Sequence, residues 1–122
     1  RYDSGAFGGL PKQKFIDALA AEGISGILGG YATPLYKNPM FLEKRFFNGP
    51  FPVTPEICGR EIHYADFAAQ CPVSEKACST EAIWLTQSML LAKKKDMEAI
   101  AAAFKKVRAN HRELLKKSSN QP

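Results

Sequence analysis

The side chains that could do chemistry in this sequence are few: three cysteines, two histidines and a loop that carries tyrosines. Cys58, Cys71 and Cys78 form no C-x-x-C pair, and their odd number does not suit a disulfide framework. His63 and His111 do not complete the spacing of a metal-ligand set. We therefore predict no metal site, and we expect a reducing, cytoplasmic environment.

The tyrosine-bearing loop follows a glycine-rich segment, and together they span residues 23–39 (GISGILGGYATPLYKNP). Two prolines restrict the backbone of the loop, so Tyr31, Tyr36 and Lys37 are held at low cost in conformational entropy. Such a loop is typical of a binding surface. The alternative is that both tyrosines pack against the domain and keep their hydroxyls in water.

The glycines before the loop have two possible roles. Gly26, Gly29 and Gly30 weaken a regular strand, and they also allow another group to approach the backbone closely. A close approach would favour a site, whereas the alternative is a plain tight connection.

Catalytic motifs are absent from the sequence. There is no nucleophile elbow, no phosphate-binding P-loop and no zinc-protease motif. No lysine lies in an apolar setting of the kind that prepares one for Schiff-base formation. The residues alone therefore predict a domain that helps to build a site rather than one that performs the chemistry.

The elements that must position these residues form a mixed α/β pattern. A proline at the first helical position and Gly23 as a left-handed stop bound the first helix. Asp96 is the expected N-cap of the last helix. The predicted helices are 11–22, 72–79 and 97–116, and the predicted strands are 24–28 and 82–86.

The stretch 40–69 is the least regular part of the sequence, because prolines and glycines interrupt it. A long irregular stretch inside a compact domain is usually functional or ordered by a partner. Four phenylalanines favour packing over disorder, namely Phe41, Phe46, Phe47 and Phe51.

Length and composition indicate one globular domain over residues 1–122. Apolar residues make up 45% and charged residues 24%, and no apolar run approaches the roughly 18 residues of a membrane span. No secretory signal is visible. The net charge of +5 arises largely from lysines around the last helix, and no aromatic side chains alternate with them. This pattern favours a solvated helix face over nucleic-acid binding, so we expect neither a membrane nor a nucleic acid as partner.

Five phrases, in order, make the chain similar to the C-terminal region of the DegT/DnrJ/EryC1/StrS aminotransferases. The resemblance covers nearly all of the chain. The phrases are FGGLPKQKFIDALAAEGI (7–24), GYATPLYKNPMF (30–41), CPVSEKAC (71–78), EAIWLTQSMLL (81–91) and KKDMEAIAAAFKKV (94–107).

The resemblance implies the small C-terminal domain of a fold-type I enzyme that uses pyridoxal 5'-phosphate (PLP), cut near Arg1. Such an enzyme moves an amino group from glutamine or glutamate to a keto sugar or keto cyclitol and shares its active site across a homodimer. The family's Schiff-base lysine and cofactor site belong to the N-terminal large domain. The resemblance therefore assigns no catalytic and no cofactor-binding residue to this chain, which alone should not transaminate.

The resemblance also implies the substrate-side residues. Sugar-nucleotide members of the family read like H-Y-x-x-P-x-H across the loop; here Tyr31 and Pro34 fit, while Gly30 and Tyr36 replace the histidines. This form is more like members that aminate cyclitols such as scyllo-inosose. Gln87 follows the second strand where relatives often have histidine. We therefore expect Gly30, Tyr31, Tyr36 and Gln87 to bind substrate, because hydroxyl-rich ligands suit such side chains.

Two other hypotheses remain open. The chain could be a free-standing homologue of the small domain, a non-catalytic interaction module with residues 40–69 as its contact surface. Nucleic-acid binding through the lysines is a third, minor option.

Overall fold

The computed structural model describes residues 1–46 and 49–118, with side chains up to residue 116. These residues form two compact units, one of Arg1–Gly30 with the chain from Thr80 onward, and one of Tyr31–Ser79. The single domain over 1–122 stays a prediction. The helices are α1 (Lys12–Ala21), α2 (Pro39–Leu42), α3 (Pro55–Cys58), α4 (Phe67–Gln70), α5 (Pro72–Lys76), α6 (Gln87–Leu90), α7 (Lys94–Ala109) and α8 (His111–Ser118). The strands are β1 (Ile27–Leu28), β2 (Arg45–Phe46), β3 (Gly49–Pro50) and β4 (Trp84–Leu85).

Helix α1 confirms the first predicted helix, although it begins one residue later than predicted. Pro11 is the N-cap, with ψ of 141°, and not the first helical residue. Phe15, Ile16 and Leu19 form the buried face. The helix ends at Ala21, and Gly23 follows with φ of +87°, which is the left-handed stop that the sequence predicted.

Strands β1 and β4 form an antiparallel ladder in the first unit, with Ile27 opposite Leu85 and Leu28 opposite Trp84. Both strands are shorter than the predicted 24–28 and 82–86. On the β1 side the reason is visible in the backbone, because Gly26 and Gly30 have φ values of +84° and +75°. A left-handed residue leaves the extended conformation, so the ladder ends on both sides of β1.

The last predicted helix is wrong in two details. It begins at Lys94 with Lys93 as N-cap, so Asp96 is the third helical residue and accepts a hydrogen bond from the Lys93 N–H at 3.2 Å. It is also divided at Asn110, whose side-chain amide donates to the Lys106 carbonyl at 2.9 Å. An asparagine side chain competes for backbone groups in this way and favours a helix end.

The core of the first unit joins α1, the ladder and α7. Tyr2 is buried there, and its hydroxyl donates to the Leu10 carbonyl at 2.7 Å. Phe7, in the 3-10 turn Gly5–Phe7, packs its ring at 4.9 Å from that of Phe15. The fully assembled cluster is Tyr2, Leu10, Phe15, Ile16, Leu19, Ile27, Ala103 and Val107.

The second unit contains an aromatic cluster, which confirms the predicted packing for two of the four phenylalanines, Phe41 and Phe51. The rings of Phe41 and Tyr64 lie 5.1 Å apart, and Phe51 contacts both at 5.9–6.0 Å. Phe46 is 40% exposed and does not share the burial of Phe51. Phe47 lies outside the described residues.

The predicted helix 72–79 changes its geometry partway. Pro72 occupies the first turn of α5, as expected, and α5 ends at Lys76. The next five residues, Ala77–Glu81, adopt the wider π-helical geometry. Cys71 and Cys78 are half-buried. Within residues 1–46 and 49–118, no helix combines the length and apolarity that crossing a membrane requires.

Candidate functional site

The loop that the sequence singled out encloses a pocket of about 390 Å³ in the second unit. Residues 31–35 and Asn38 line it. Of these lining residues, Tyr31 is 70% exposed and Pro34 is buried. A volume of this size is within the range of small-molecule sites.

Short-range hydrogen bonds shape this loop. The Lys37 N–H donates to the Pro34 carbonyl at 3.0 Å, and the Asn38 N–H donates to the Leu35 carbonyl at 3.0 Å, which closes the 3-10 turn Leu35–Lys37. Asn38 is extended, with ψ of 136°, as expected before a proline, and its Oδ1 accepts from the Met40 N–H to cap α2. These local hydrogen bonds define the backbone shape of the pocket wall.

Two side chains of the turn converge on one carboxylate. The Tyr36 hydroxyl donates to Glu75 Oε1 at 2.8 Å, and Lys37 Nζ donates to Glu75 Oε2 at 2.7 Å. The Tyr36 ring also packs edge-to-face on Phe67, with centroids 5.9 Å apart. Because its only hydroxyl proton is given to Glu75, Tyr36 can accept a hydrogen bond from a ligand but has none to donate.

The electrostatics of this cluster follow from the same contacts. Partial burial raises the pKa of Tyr36 to about 12, and the hydrogen bond and negative charge of Glu75 add to the effect. The hydrogen bond from Lys37 lowers the pKa of Glu75, and the bond from Tyr36 lowers it further. At neutral pH the cluster is therefore a neutral phenol and an ion pair.

Gly30 belongs to the first unit and does approach another group closely. Its φ is +75°, and a Cβ at this position would lie 2.6 Å from the Cβ of Ala82. The neighbouring Gly29 carbonyl accepts a hydrogen bond from Lys12 Nζ at 2.8 Å. The close approach that the sequence predicted is thus to the chain itself, at the segment leading into β4.

Gln87 is exposed at the start of α6, directly after the N-cap Thr86. Because the ladder is antiparallel with Ile27 opposite Leu85, Gln87 lies beyond the first residue of β1, whereas Gly30 lies beyond its last. The first unit therefore holds these two predicted residues at opposite ends of the ladder. Tyr31 and Tyr36 belong to the second unit. Substrate binding by the four residues stays a prediction.

Glu75 is the residue that sequence reasoning did not place in the site. Its position in the first turn of α5 indicated only a favourable interaction with the helix dipole. It lies 39 residues from Tyr36 along the chain, so no local spacing pattern connects the two. Only the packing of α5 against the loop reveals the contact. Throughout the part of the chain that the structure describes, no group of three or more His, Cys, Asp or Glu side chains could hold a metal ion.

The chain is similar to three curated proteins, each named provisionally as an L-glutamine:3-amino-2,3-dideoxy-scyllo-inosose aminotransferase. The protein of Streptomyces kanamyceticus is 30% identical over 114 residues, which is 93% of this chain and 26% of that protein. The proteins of Micromonospora echinospora and Streptoalloteichus tenebrarius are each 28% identical over 110 residues, which is 90% of this chain and 25% of theirs.

The chain thus spans about a quarter of the length of the curated relatives it matches. No family model matches it. No solved structure matches it. The similarity is to part of proteins named as aminotransferases.

Proposed function

We propose that this chain is the substrate-side part of a PLP-dependent aminotransferase that moves an amino group from glutamine to a keto cyclitol. The observation that carries the proposal is the similarity over 93% of the chain to a protein named as a glutamine:inosose aminotransferase. The five phrases that resemble the DegT/DnrJ/EryC1/StrS aminotransferases support the same assignment.

The proposal includes the architecture that the resemblance implies. The chain is then the small C-terminal domain of a cytoplasmic fold-type I enzyme, attached to a large domain and acting as a homodimer. Its helices and two small sheets are compatible with an α/β domain of this kind.

The chemistry of the pocket favours an uncharged, hydroxylated ligand. None of the six lining residues is charged, and the nearby Lys37 ammonium is neutralised by Glu75. A nucleotide-linked sugar carries phosphates, which usually require cationic side chains or free N–H groups. The polar side chains of the lining, those of Tyr31, Thr33 and Asn38, carry uncharged groups of the kind that form hydrogen bonds with hydroxyls. A cyclitol therefore suits this wall better than a sugar nucleotide does.

The cofactor does not fit the residues of this pocket. Its lining contains no lysine for a Schiff base and no cation for the phosphate group. PLP therefore belongs to the proposed large domain. The role proposed for this chain is to hold the substrate and to limit the access of water to it.

The cofactor itself gives a first test on a full-length protein that contains this chain. We expect the purified protein to carry a visible absorbance band of bound PLP that disappears on reduction with borohydride. A folded full-length protein that binds no PLP would contradict the proposal. The matched control is the 122-residue chain alone, which should show no band.

One observation favours the second hypothesis, a non-catalytic interaction module. Three large apolar side chains of the second unit are mostly exposed: Leu35 at 71%, Ile57 at 73% and Val73 at 68%. A contiguous surface formed by such side chains would be typical of a protein contact. An open reading frame that begins close to Arg1, with no cofactor domain before it, would favour this function over the enzyme.

A further inference from the structure

We infer that Glu75 is a positioning residue that holds the turn Leu35–Lys37, and through it one wall of the pocket, in the shape that receives a ligand. The inference depends on the proposed function in one respect, which is that this pocket is a ligand site. The contacts of Glu75 carry the rest.

Glu75 contacts the turn twice. Both oxygens of one carboxylate accept hydrogen bonds from side chains that are neighbours in sequence, Tyr36 at 2.8 Å and Lys37 at 2.7 Å. Hydrogen bonds to an ionised group are shorter and stronger than neutral ones. Two such bonds from adjacent residues restrict the backbone between them as well as the side chains.

The turn also forms part of the pocket wall. The Lys37 N–H donates to the carbonyl of Pro34, and the Asn38 N–H donates to the carbonyl of Leu35. Pro34, Leu35 and Asn38 all line the pocket. A turn that loses its hold on Glu75 would therefore loosen the same residues that shape the wall.

Glu75 is itself firmly placed. Its N–H donates to the Cys71 carbonyl at 3.1 Å, and its carbonyl accepts from the Ser79 hydroxyl at 2.8 Å. Its side chain is half-buried, with 29% of its surface exposed. Helix α5 thus serves as the fixed end of the contact.

Amide hydrogen exchange of the 122-residue chain tests this directly. Glu75→Ala removes both contacts, and the exchange of the Lys37 and Asn38 amides should become about tenfold faster, because charge-assisted hydrogen bonds hold the turn. Glu75→Gln keeps an acceptor for Tyr36, so it should restore part of the protection. The control is Glu43→Gln, an exposed acid 3.4 Å from Arg45 in the same unit, which should change neither amide.

Unchanged exchange of both amides in a folded Glu75→Ala chain would overturn the inference. If Glu75→Ala does not fold, Glu75→Gln and Lys37→Met decide instead, since each removes the ion pair and leaves the Tyr36 contact possible. Equal protection in these two variants and in the unaltered chain would likewise overturn it.

Kinetics of the full-length enzyme separate positioning from general structural damage. Glu75→Ala should raise KM for scyllo-inosose about tenfold and change kcat and KM for glutamine less than about threefold, because the proposed role of this wall is to receive the keto substrate. Equal loss in all parameters would contradict a positioning role. If the protein transaminates nothing but the amide exchange changes as expected, the proposed function fails and the role of Glu75 in the turn stands.

Discussion

The α-carbon of Gly30 lies so close to Ala82 that a Cβ on residue 30 would be 2.6 Å from the Cβ of Ala82. Atoms of this kind do not approach so closely, so glycine is required at this point of the chain for packing. The left-handed φ of +75° is a second, independent requirement. In the sugar-nucleotide members of the family that the sequence resembles, histidine is common at this position, and here the close approach of Ala82 leaves no room for its Cβ.

Gly30→Ala should destabilise the chain by more than the backbone conformation alone explains. Left-handed φ costs an alanine about 1–2 kcal/mol, and the clash should add about 1–3 kcal/mol. The free energy of unfolding from urea denaturation measures the sum. The matched control is Gly9→Ala, since Gly9 has φ of +86° and no atom within 4 Å of the added Cβ. Equal effects of the two substitutions would contradict the clash, and Ala82→Gly should recover part of the loss in the Gly30→Ala chain only.

The pKa of Tyr36 should lie well above the ordinary value of a tyrosine. Its pKa is raised to about 12 by burial and by Glu75, with smaller contributions from the nearby Cys71 and Cys78. Lys37 lies on the other oxygen of the same carboxylate. Glu75→Gln removes the negative charge, so the Tyr36 pKa should fall toward 10 in an NMR titration of the tyrosine ring carbons. A value unchanged by Glu75→Gln would show that the contact is not made in solution.

The pKa shifts of Tyr36 and Glu75 predict how the stability of the chain depends on pH. The folded-state pKa of Tyr36 is raised, so its contribution is complete below pH 10 and is lost as pH rises toward about 12. The pKa of Glu75 is lowered, so its contribution is complete above its ordinary value of 4.5 and is lost as pH falls below that value. Glu75→Gln should flatten both limbs of the stability curve relative to Glu43→Gln. Identical limbs in the two variants would contradict the coupling.

Leu19 should be among the most sensitive core positions. Its side chain is fully buried at the centre of the cluster between α1 and α7. Leu19→Ala should lower the free energy of unfolding by about 3 kcal/mol, because it removes buried methyl groups and leaves a cavity. Leu91→Ala is the control, since Leu91 is 77% exposed, and it should change stability by no more than about 0.5 kcal/mol.

Asp96 should stabilise α7 although it is not the N-cap. Its carboxylate accepts from the Lys93 N–H and lies in the first turn, where the helix dipole favours negative charge. Asp96→Ala should lower stability by about 0.5–1.5 kcal/mol. The control is Glu98→Gln, because the Glu98 carboxylate is 3.8 Å from Lys94 and both side chains are well exposed. An effect of Asp96→Ala no larger than that of the control would contradict the capping role.

The sequence was a good guide where local chemistry determines the structure. The apolar spacing of Phe15, Ile16 and Leu19 and the stop at Gly23 predicted α1, and Pro72 marked the start of α5. The loop of residues 31–39 was found from its prolines and tyrosines, and the structure places a pocket there.

The sequence was a poor guide where one of several local conformations is chosen or where a distant contact decides. The length of β1 depends on which glycines adopt positive φ, and the division of the last helix depends on whether Asn110 bonds to its own helix. Composition reveals neither the conformation of these glycines nor the hydrogen bond of Asn110. The contact between Tyr36 and Glu75 arises from packing across 39 residues, which no periodicity encodes. The sequence therefore predicted the loop but not its contact with Glu75.

Transfer of labelled nitrogen tests the central claim most directly. A full-length protein that contains this chain, supplied with PLP, would be incubated with L-glutamine labelled with 15N at the α-amino group and with scyllo-inosose. Mass spectrometry then follows the label. We expect a 15N-labelled amino cyclitol that forms only when both substrates are present. A folded protein that carries bound PLP and yields no labelled amino cyclitol from this ketone would contradict it.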